Sequence, residues 1–97
     1  MDKLNRLIRN ADDTANGLKA IAHELRLLTL CHIGDGECSV HELEKYLGTS
    51  QSNISQHLAK MRDKGLLETR KDGNFVYYRL KNKELLELLP LLQKIFC

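Results

Sequence analysis

The 97-residue sequence predicts a mainly α-helical domain of winged helix-turn-helix type, on three observations. A capping signal at Ser39-Val40-His41-Glu42 and a second N-cap at Thr49-Ser50 start two helices separated only by a short turn containing Gly48, which is the helix-turn-helix pattern. Two runs rich in Thr, Tyr, Val and Phe flank Asp72-Gly73, a pair that favours a tight hairpin, and these supply the wing. No Pro-, Gly- or Ser-rich linker divides the chain, and its length is too short for two cores, so residues 1–97 are expected to form one domain.

Leu4, Leu7, Ile8, Ala11, Ala15 and Leu18 recur at helical spacing and predict a first amphipathic helix from about Asp2 to Ala20. A second, His23 to Ile33, carries Leu27, Leu28, Leu30 and Cys31 and stops at Gly34-Asp35-Gly36. The third starts at the capping box, where Glu42 can reach back to the Ser39 amide, and ends near Gly48. A fourth runs from Gln51 to about Lys64, with Ile54, Leu58 and Met61 inward and Gly65 as its stop. Strands follow at Leu67 to Lys71 and Phe75 to Leu80. The last helix opens at Asn82 and spreads Leu85, Leu86, Leu88, Leu89, Leu91, Leu92, Ile95 and Phe96 over more than one face. A domain this small covers only one of those faces, so a homodimer joined through the first and last helices is expected. Pro90 is expected to kink or break the last helix.

Apolar residues are 42% of the chain and charged residues 29%, which excludes disorder and a collagen-like or disulfide-stapled class. No apolar run approaches the roughly 20 residues of a membrane helix, and Met1 to Asn10 alternates charge with leucine, so a cytoplasmic protein without a membrane partner is expected. The net charge of +2 is uneven: residues 1–50 hold 6 Lys/Arg against 8 Asp/Glu, and residues 51–97 hold 9 against 5. The excess lies within residues 51–82, which points to an anion-facing surface there. Cys31, Cys38 and Cys97 are widely spaced and lack a C-x-x-C pair, against a disulfide framework or zinc knuckle. No nucleophile-base order, Gly-rich phosphate loop or His-Glu-x-x-His motif is present, so no catalytic residue, metal ligand or cofactor is assigned and the chain is not read as an enzyme.

On a helical wheel Ser52 and Gln56 lie roughly opposite Ile54, Leu58 and Met61. Gln and Asn form bidentate hydrogen bonds with adenine in the major groove, Ser donates or accepts, and the small Ala59 permits close approach. Recognition helices present their N-terminal residues to base edges, so Ser50, Gln51, Ser52, Asn53, Ser55 and Gln56 are the candidate contacts to double-stranded DNA. Lys60 and Arg62 are assigned to phosphates, together with Arg70, Lys71 and Arg79 of the wing; such contacts set register and weaken with salt. His57, at the edge of the apolar face, is read as packed or phosphate-bonded.

Four stretches carry a resemblance to a known family: Leu18-Lys19-Ala20-Ile21-Ala22-His23 leading into Arg26-Leu27-Leu28; Ser50-Gln51-Ser52-Asn53-Ile54-Ser55-Gln56-His57-Leu58; Gly65-Leu66-Leu67; and Tyr77-Tyr78-Arg79-Leu80. Together they resemble the ArsR/SmtB winged-helix repressors over nearly the whole chain. The resemblance implies a homodimer that binds an inverted-repeat operator with its two recognition helices about one DNA turn apart, and that leaves it when an inducer is sensed. The family's arsenic and cadmium sensors often carry Cys-Val-Cys in the third helix, where this chain reads Ser39-Val40-His41. Its zinc sensors use Asp and His pairs in the last helix, and Lys81 to Cys97 contains neither residue.

Cys31 and Cys97 are placed as in the branch of the family that senses reactive sulfur species or oxidants through two thiols. That resemblance casts Cys31 as the nucleophile that becomes a sulfenate or persulfide, and Cys97 as the thiol that resolves it into a disulfide or longer bridge. From the residues alone, Cys31 follows Leu27 and Leu28 at helical spacing, where a free cysteine usually packs as a small hydrophobe. Cys38, near the start of the third helix, is expected to be an incidental thiol whose thiolate the helix dipole favours. Two alternatives stay open at this point: a metal- or arsenite-responsive repressor using Cys38 and His41, and a redox-insensitive DNA-binding anti-repressor.

Overall fold

The computed structural model describes residues 2–97. A 3-10 turn at Asp2–Leu4 leads into α1 (Asn5–Arg9), α2 (Ala11–Ile21) and α3 (Glu24–Ile33). Then come β1 (Cys38–Ser39), α4 (Val40–Leu47), α5 (Gln51–Asp63), the hairpin β2 (Leu67–Asp72) and β3 (Phe75–Leu80), and α6 (Glu84–Phe96). The strands make one antiparallel sheet in the order β1-β3-β2.

The single first helix expected over Asp2 to Ala20 is divided at Asn10, whose φ of −109° and ψ of 27° leave the helical region. Asn competes for local backbone bonds, and Asp12 and Asp13 complement a new helix start just after it. The ladder itself is not cut: Asn10 N–H donates to the Arg6 carbonyl (3.1 Å) and Thr14 N–H to the Asn10 carbonyl (2.9 Å). Periodicity reports which face is apolar, not where the backbone leaves the helical region.

The core joins Leu30 and Ile33 of α3, Leu43 of α4, Ile54, Leu58 and Met61 of α5 and Leu67 of β2, with Cys38 sealed among them. Each fully covered leucine here contributes about 1.5–3 kcal/mol before entropy is counted. In α3 the buried set is Thr29, Leu30 and Ile33, whereas Leu27, Leu28 and Cys31 are exposed. Thr29 sits in the core because its hydroxyl donates to the Leu25 carbonyl at 2.6 Å, so burying it leaves no orphan donor.

The capping box forms as expected: Glu42 N–H donates to Ser39 Oγ (3.1 Å) and Ser39 N–H to Glu42 Oε1 (3.2 Å). Helix α4 stops at Gly48, left-handed with φ 64° and ψ 26°, and Ser50 accepts from Asn53 N–H at 3.1 Å to start α5. The end of α5 is a Schellman motif around Gly65 (φ 74°), closed by Leu66 N–H to the Met61 carbonyl and Gly65 N–H to the Arg62 carbonyl.

The hairpin is displaced by one residue from the sequence reading. Asp72 pairs with Phe75, so the two-residue turn is Gly73-Asn74. Only Gly73 of that pair has a positive φ, 61°, which is the type II′ pattern. Pro90 neither breaks nor ends α6, which continues from Glu84 to Phe96.

Candidate nucleic-acid interface

Burial of Ile54, Leu58 and Met61 turns the opposite face of α5 outward, and Gln51, Ser52, Ser55 and Gln56 are all exposed on it. Their amides and hydroxyls have no hydrogen-bond partner among the described residues, so they are available to base edges. Ser50 and Asn53 differ. The Ser50 hydroxyl caps the helix, and Asn53 Nδ2 donates to Thr49 Oγ1 at 2.9 Å, so these two hold the helix start in place. Lys60 and Arg62 are exposed, and Lys60 lines a cleft with Lys19, Arg26 and Lys64 beside α5.

On the wing, the three basic residues are not equivalent. Arg70 Nε donates to Glu37 Oε2 (3.2 Å), a second guanidinium nitrogen donates to Glu37 Oε1, and the group lies 4.8 Å from the Tyr77 ring centre. That pairing holds the Glu37 carboxyl below its ordinary range and Arg70 above its own. Arg79 Nε donates to Glu68 Oε1 at 2.7 Å, directly across the β2–β3 ladder. Lys71 alone of the three makes no ion pair among the described residues.

His57 packs against His23, ring centres 4.5 Å apart, as the packed reading expected. His23 caps α3, its Nδ1 accepting from Leu25 N–H at 3.1 Å. His57 Nδ1 and Arg26 Nε are both enclosed without a partner. Burial lowers the His57 pKa, helped by positive charge at His23, Arg26 and Lys60.

The thiols separate into two kinds. Cys38 is buried, its thiol donating to the His32 carbonyl at 3.7 Å, and burial pushes its pKa up, reinforced by Glu42 and Glu37. This corrects the expectation of a reactive thiol at that helix start: low dielectric outweighs the dipole of a short helix. Cys31 and Cys97 are free and exposed, and both line one apolar groove of 1110 Å³ between α3 and α6, with Leu27, Leu86, Leu92 and Phe96. Among the described residues no three His, Cys, Asp or Glu side chains converge as a metal site, and Cys38 and His41 do not assemble one.

Residues 23–69, from the α3 cap into β2, match the family described as "Bacterial regulatory protein, arsR family". The biofilm growth-associated repressor of Xylella fastidiosa is 38% identical over 89 residues, 92% of this chain and 78% of that protein. The chain belongs to the ArsR family. The transcriptional activator HlyU of Vibrio cholerae is 42% identical over 94 residues, covering 97% of this chain and 87% of its own. A structure described as reduced HlyU from Vibrio cholerae aligns with TM-score 0.83 at 41% identity, over 95% of this chain and 97% of that one. The homodimeric winged helix-turn-helix DNA-binding domain of Mb0332 from Mycobacterium bovis aligns with TM-score 0.81 at 28% identity, over 94% and 84%.

This ArsR-family protein is therefore a DNA-binding transcription regulator of winged helix-turn-helix fold, not an enzyme. Among the described residues, no helix of the regulator is long and apolar enough to cross a membrane. What the sequence did not reveal is the set of residues that restrains the candidate side chains: Glu37 and Tyr77 on Arg70, Glu68 on Arg79, and His23 on His57. Glu37 and Arg70 are 33 residues apart and meet only because β1 docks on β3, so no local signal could have joined them.

Proposed function

We propose that the regulator is a homodimeric repressor that binds an inverted-repeat operator and releases it when Cys31 and Cys97 are joined by reactive sulfur species or an oxidant. The observation that carries this is the sorting of the thiols: two are exposed in one groove between α3 and the last helix, and the third is sealed in the core. Dimer formation is supported by apolar side chains left uncovered on the outer helices, Leu18 at 55% exposure, Ile95 at 70% and Phe96 at 79%. It is supported too by the homodimeric state of Mb0332. The X. fastidiosa relative is named a repressor, and HlyU was described in a reduced form. As a DNA-binding protein the regulator works in the cytoplasm.

In the sensing step the Cys31 thiolate attacks the outer sulfur of a persulfide donor, R–S–SH, breaking its S–S bond and releasing R–SH; Cys31 becomes Cys–S–SH. Cys97 then attacks the Cys31 γ-sulfur and expels hydrogen sulfide, leaving a disulfide: two thiols are oxidised and the donor is reduced. The bridge ties α6 to α3. Because the reading helices of a dimer must meet both half-sites at one spacing, a shift of α6 against the body changes their separation and breaks simultaneous contact. The test is operator affinity before and after anaerobic persulfide treatment, with intact mass spectrometry. Cys31→Ser and Cys97→Ser should each bind DNA when reduced and fail to release it when treated. Release persisting in both variants refutes the mechanism, and release by metal or arsenite in the reduced protein would favour the metal-sensing alternative.

A further inference from the structure

The wing was read from the sequence as a phosphate-binding element, but the structure gives its exposed face little charge to offer. Residues Glu68, Arg70 and Asp72 alternate onto one side of β2, opposite Arg79, Tyr77 and Phe75 of β3. Glu37, just before β1, closes the row. Three carboxylates, Glu37, Glu68 and Asp72, thus face two guanidiniums, Arg70 and Arg79. Arg70 is the most committed: both oxygens of Glu37 accept from it, Asp72 Oδ2 lies 3.8 Å away, and Tyr77 fixes its plane. A phosphate approaching Arg70 must displace a carboxylate that already satisfies the same two-pronged donor set.

We propose that Glu37 is a specificity-determining residue for DNA binding, holding Arg70 away from phosphates on non-operator duplexes. The proposal rests on the DNA-binding reading above. Phosphate contacts carry no sequence information, so an arginine free to bind any duplex raises affinity everywhere and discrimination nowhere. An arginine bound to Glu37 exchanges it for phosphate only where base contacts by α5 have already fixed the wing against the backbone. Specificity then arises from an internal competitor against the wrong partner, not from added contacts to the right one.

The experiment compares wild type, Glu37→Gln, Arg70→Ala and the double variant on two duplexes of equal length: one of random sequence, one selected in vitro by the wild-type protein. Affinity is measured across salt. Gln keeps the shape and an acceptor oxygen at position 37 and removes the charge. Glu37→Gln should bind the random duplex more tightly, with a salt slope steeper by about 0.9, equal to about 3.5-fold more gain between 200 and 50 mM salt than wild type shows. The selected duplex should gain less, so the ratio of the two affinities falls. In the Arg70→Ala background the same change should do nothing. An unchanged slope, weaker binding by Glu37→Gln, or a gain that survives Arg70→Ala overturns the proposal; the last result would mean a general effect of net charge. Failure of the selection to yield any duplex that the wild-type protein binds would instead overturn the DNA-binding reading itself.

Discussion

Replacing Gly48 by alanine isolates one backbone torsion at the turn between α4 and α5. Gly48 lies at φ 64°, and a Cβ built there meets nothing within 4 Å, so the substitution causes no clash and its whole cost is conformational. An L-residue in the left-handed region costs about 1–2 kcal/mol, partly offset by about 0.4–1 kcal/mol from restricting the unfolded chain. The net loss is about 1 kcal/mol, which for a domain of this length lowers Tm by about 4–8 °C. Asparagine tolerates this torsion better, so Gly48→Asn should lose less than half as much. Gly36 provides the control: its backbone is not left-handed, and a Cβ there would sit 3.7 Å from the Ile33 carbonyl oxygen, an ordinary contact. Gly36→Ala should therefore leave Tm within a few degrees of wild type. Scanning calorimetry at one fixed protein concentration reads all three, because the Tm of any self-associating protein depends on concentration. Equal losses for Ala and Asn at position 48, or no loss for either, would show that the turn does not require its left-handed residue.

Alkylation of the native reduced protein should label Cys31 and Cys97 while sparing Cys38, and all three should react after denaturation; native labelling of Cys38 detected by peptide mass spectrometry would contradict its sealed position. Leu58→Ala, in the middle of α5 and fully buried, should cost about 2–5 kcal/mol in denaturant unfolding, a large part of the total for so small a domain. Gln56→Ala should reduce discrimination between selected and random duplexes with little change in salt slope, whereas Lys71→Ala should flatten the slope by about 0.9 on both. Acid stability tests His57. Its folded pKa lies below the unfolded value of about 6.5, so the unfolded chain binds more protons between the two and stability falls as pH drops through that window. In His57→Gln that part of the pH dependence should disappear from urea midpoints measured between pH 5 and 8.

The features that were legible in the sequence are those set by neighbouring residues. Ser39 and Glu42 specify their cap within one turn, Gly48 and Gly65 mark the ends of α4 and α5, and the spacing of Ile54, Leu58 and Met61 decides which face of α5 looks outward. The exposed quartet Gln51, Ser52, Ser55 and Gln56 follows from that orientation. Less legible were features decided by packing at a distance. Cys38 near the start of α4 looks reactive until β1 is seen to pair with β3 and bury it, and a strand of two residues leaves no periodic pattern. Cys31 resembles a core position because Leu27 and Leu28 precede it, yet Leu30 and Ile33 face the core and turn Cys31 to the groove. Asp72-Gly73 carried the hairpin signal correctly but misplaced its centre, since the same residues also suit a II′ turn one position later.

Ser39 belongs at once to β1, which is hydrogen-bonded to the wing, and to the N-cap of α4, which leads directly into the turn before α5. The hairpin and the helix pair α4–α5 are thus tied to a common post at Ser39. In the proposed binding mode, the span from the groove floor read by Gln56 to the backbone held by Lys71 is then a fixed gauge. A duplex whose grooves are too wide or too narrow for that gauge would lose one contact on making the other, and in that mode DNA contour would count even at base pairs no side chain touches.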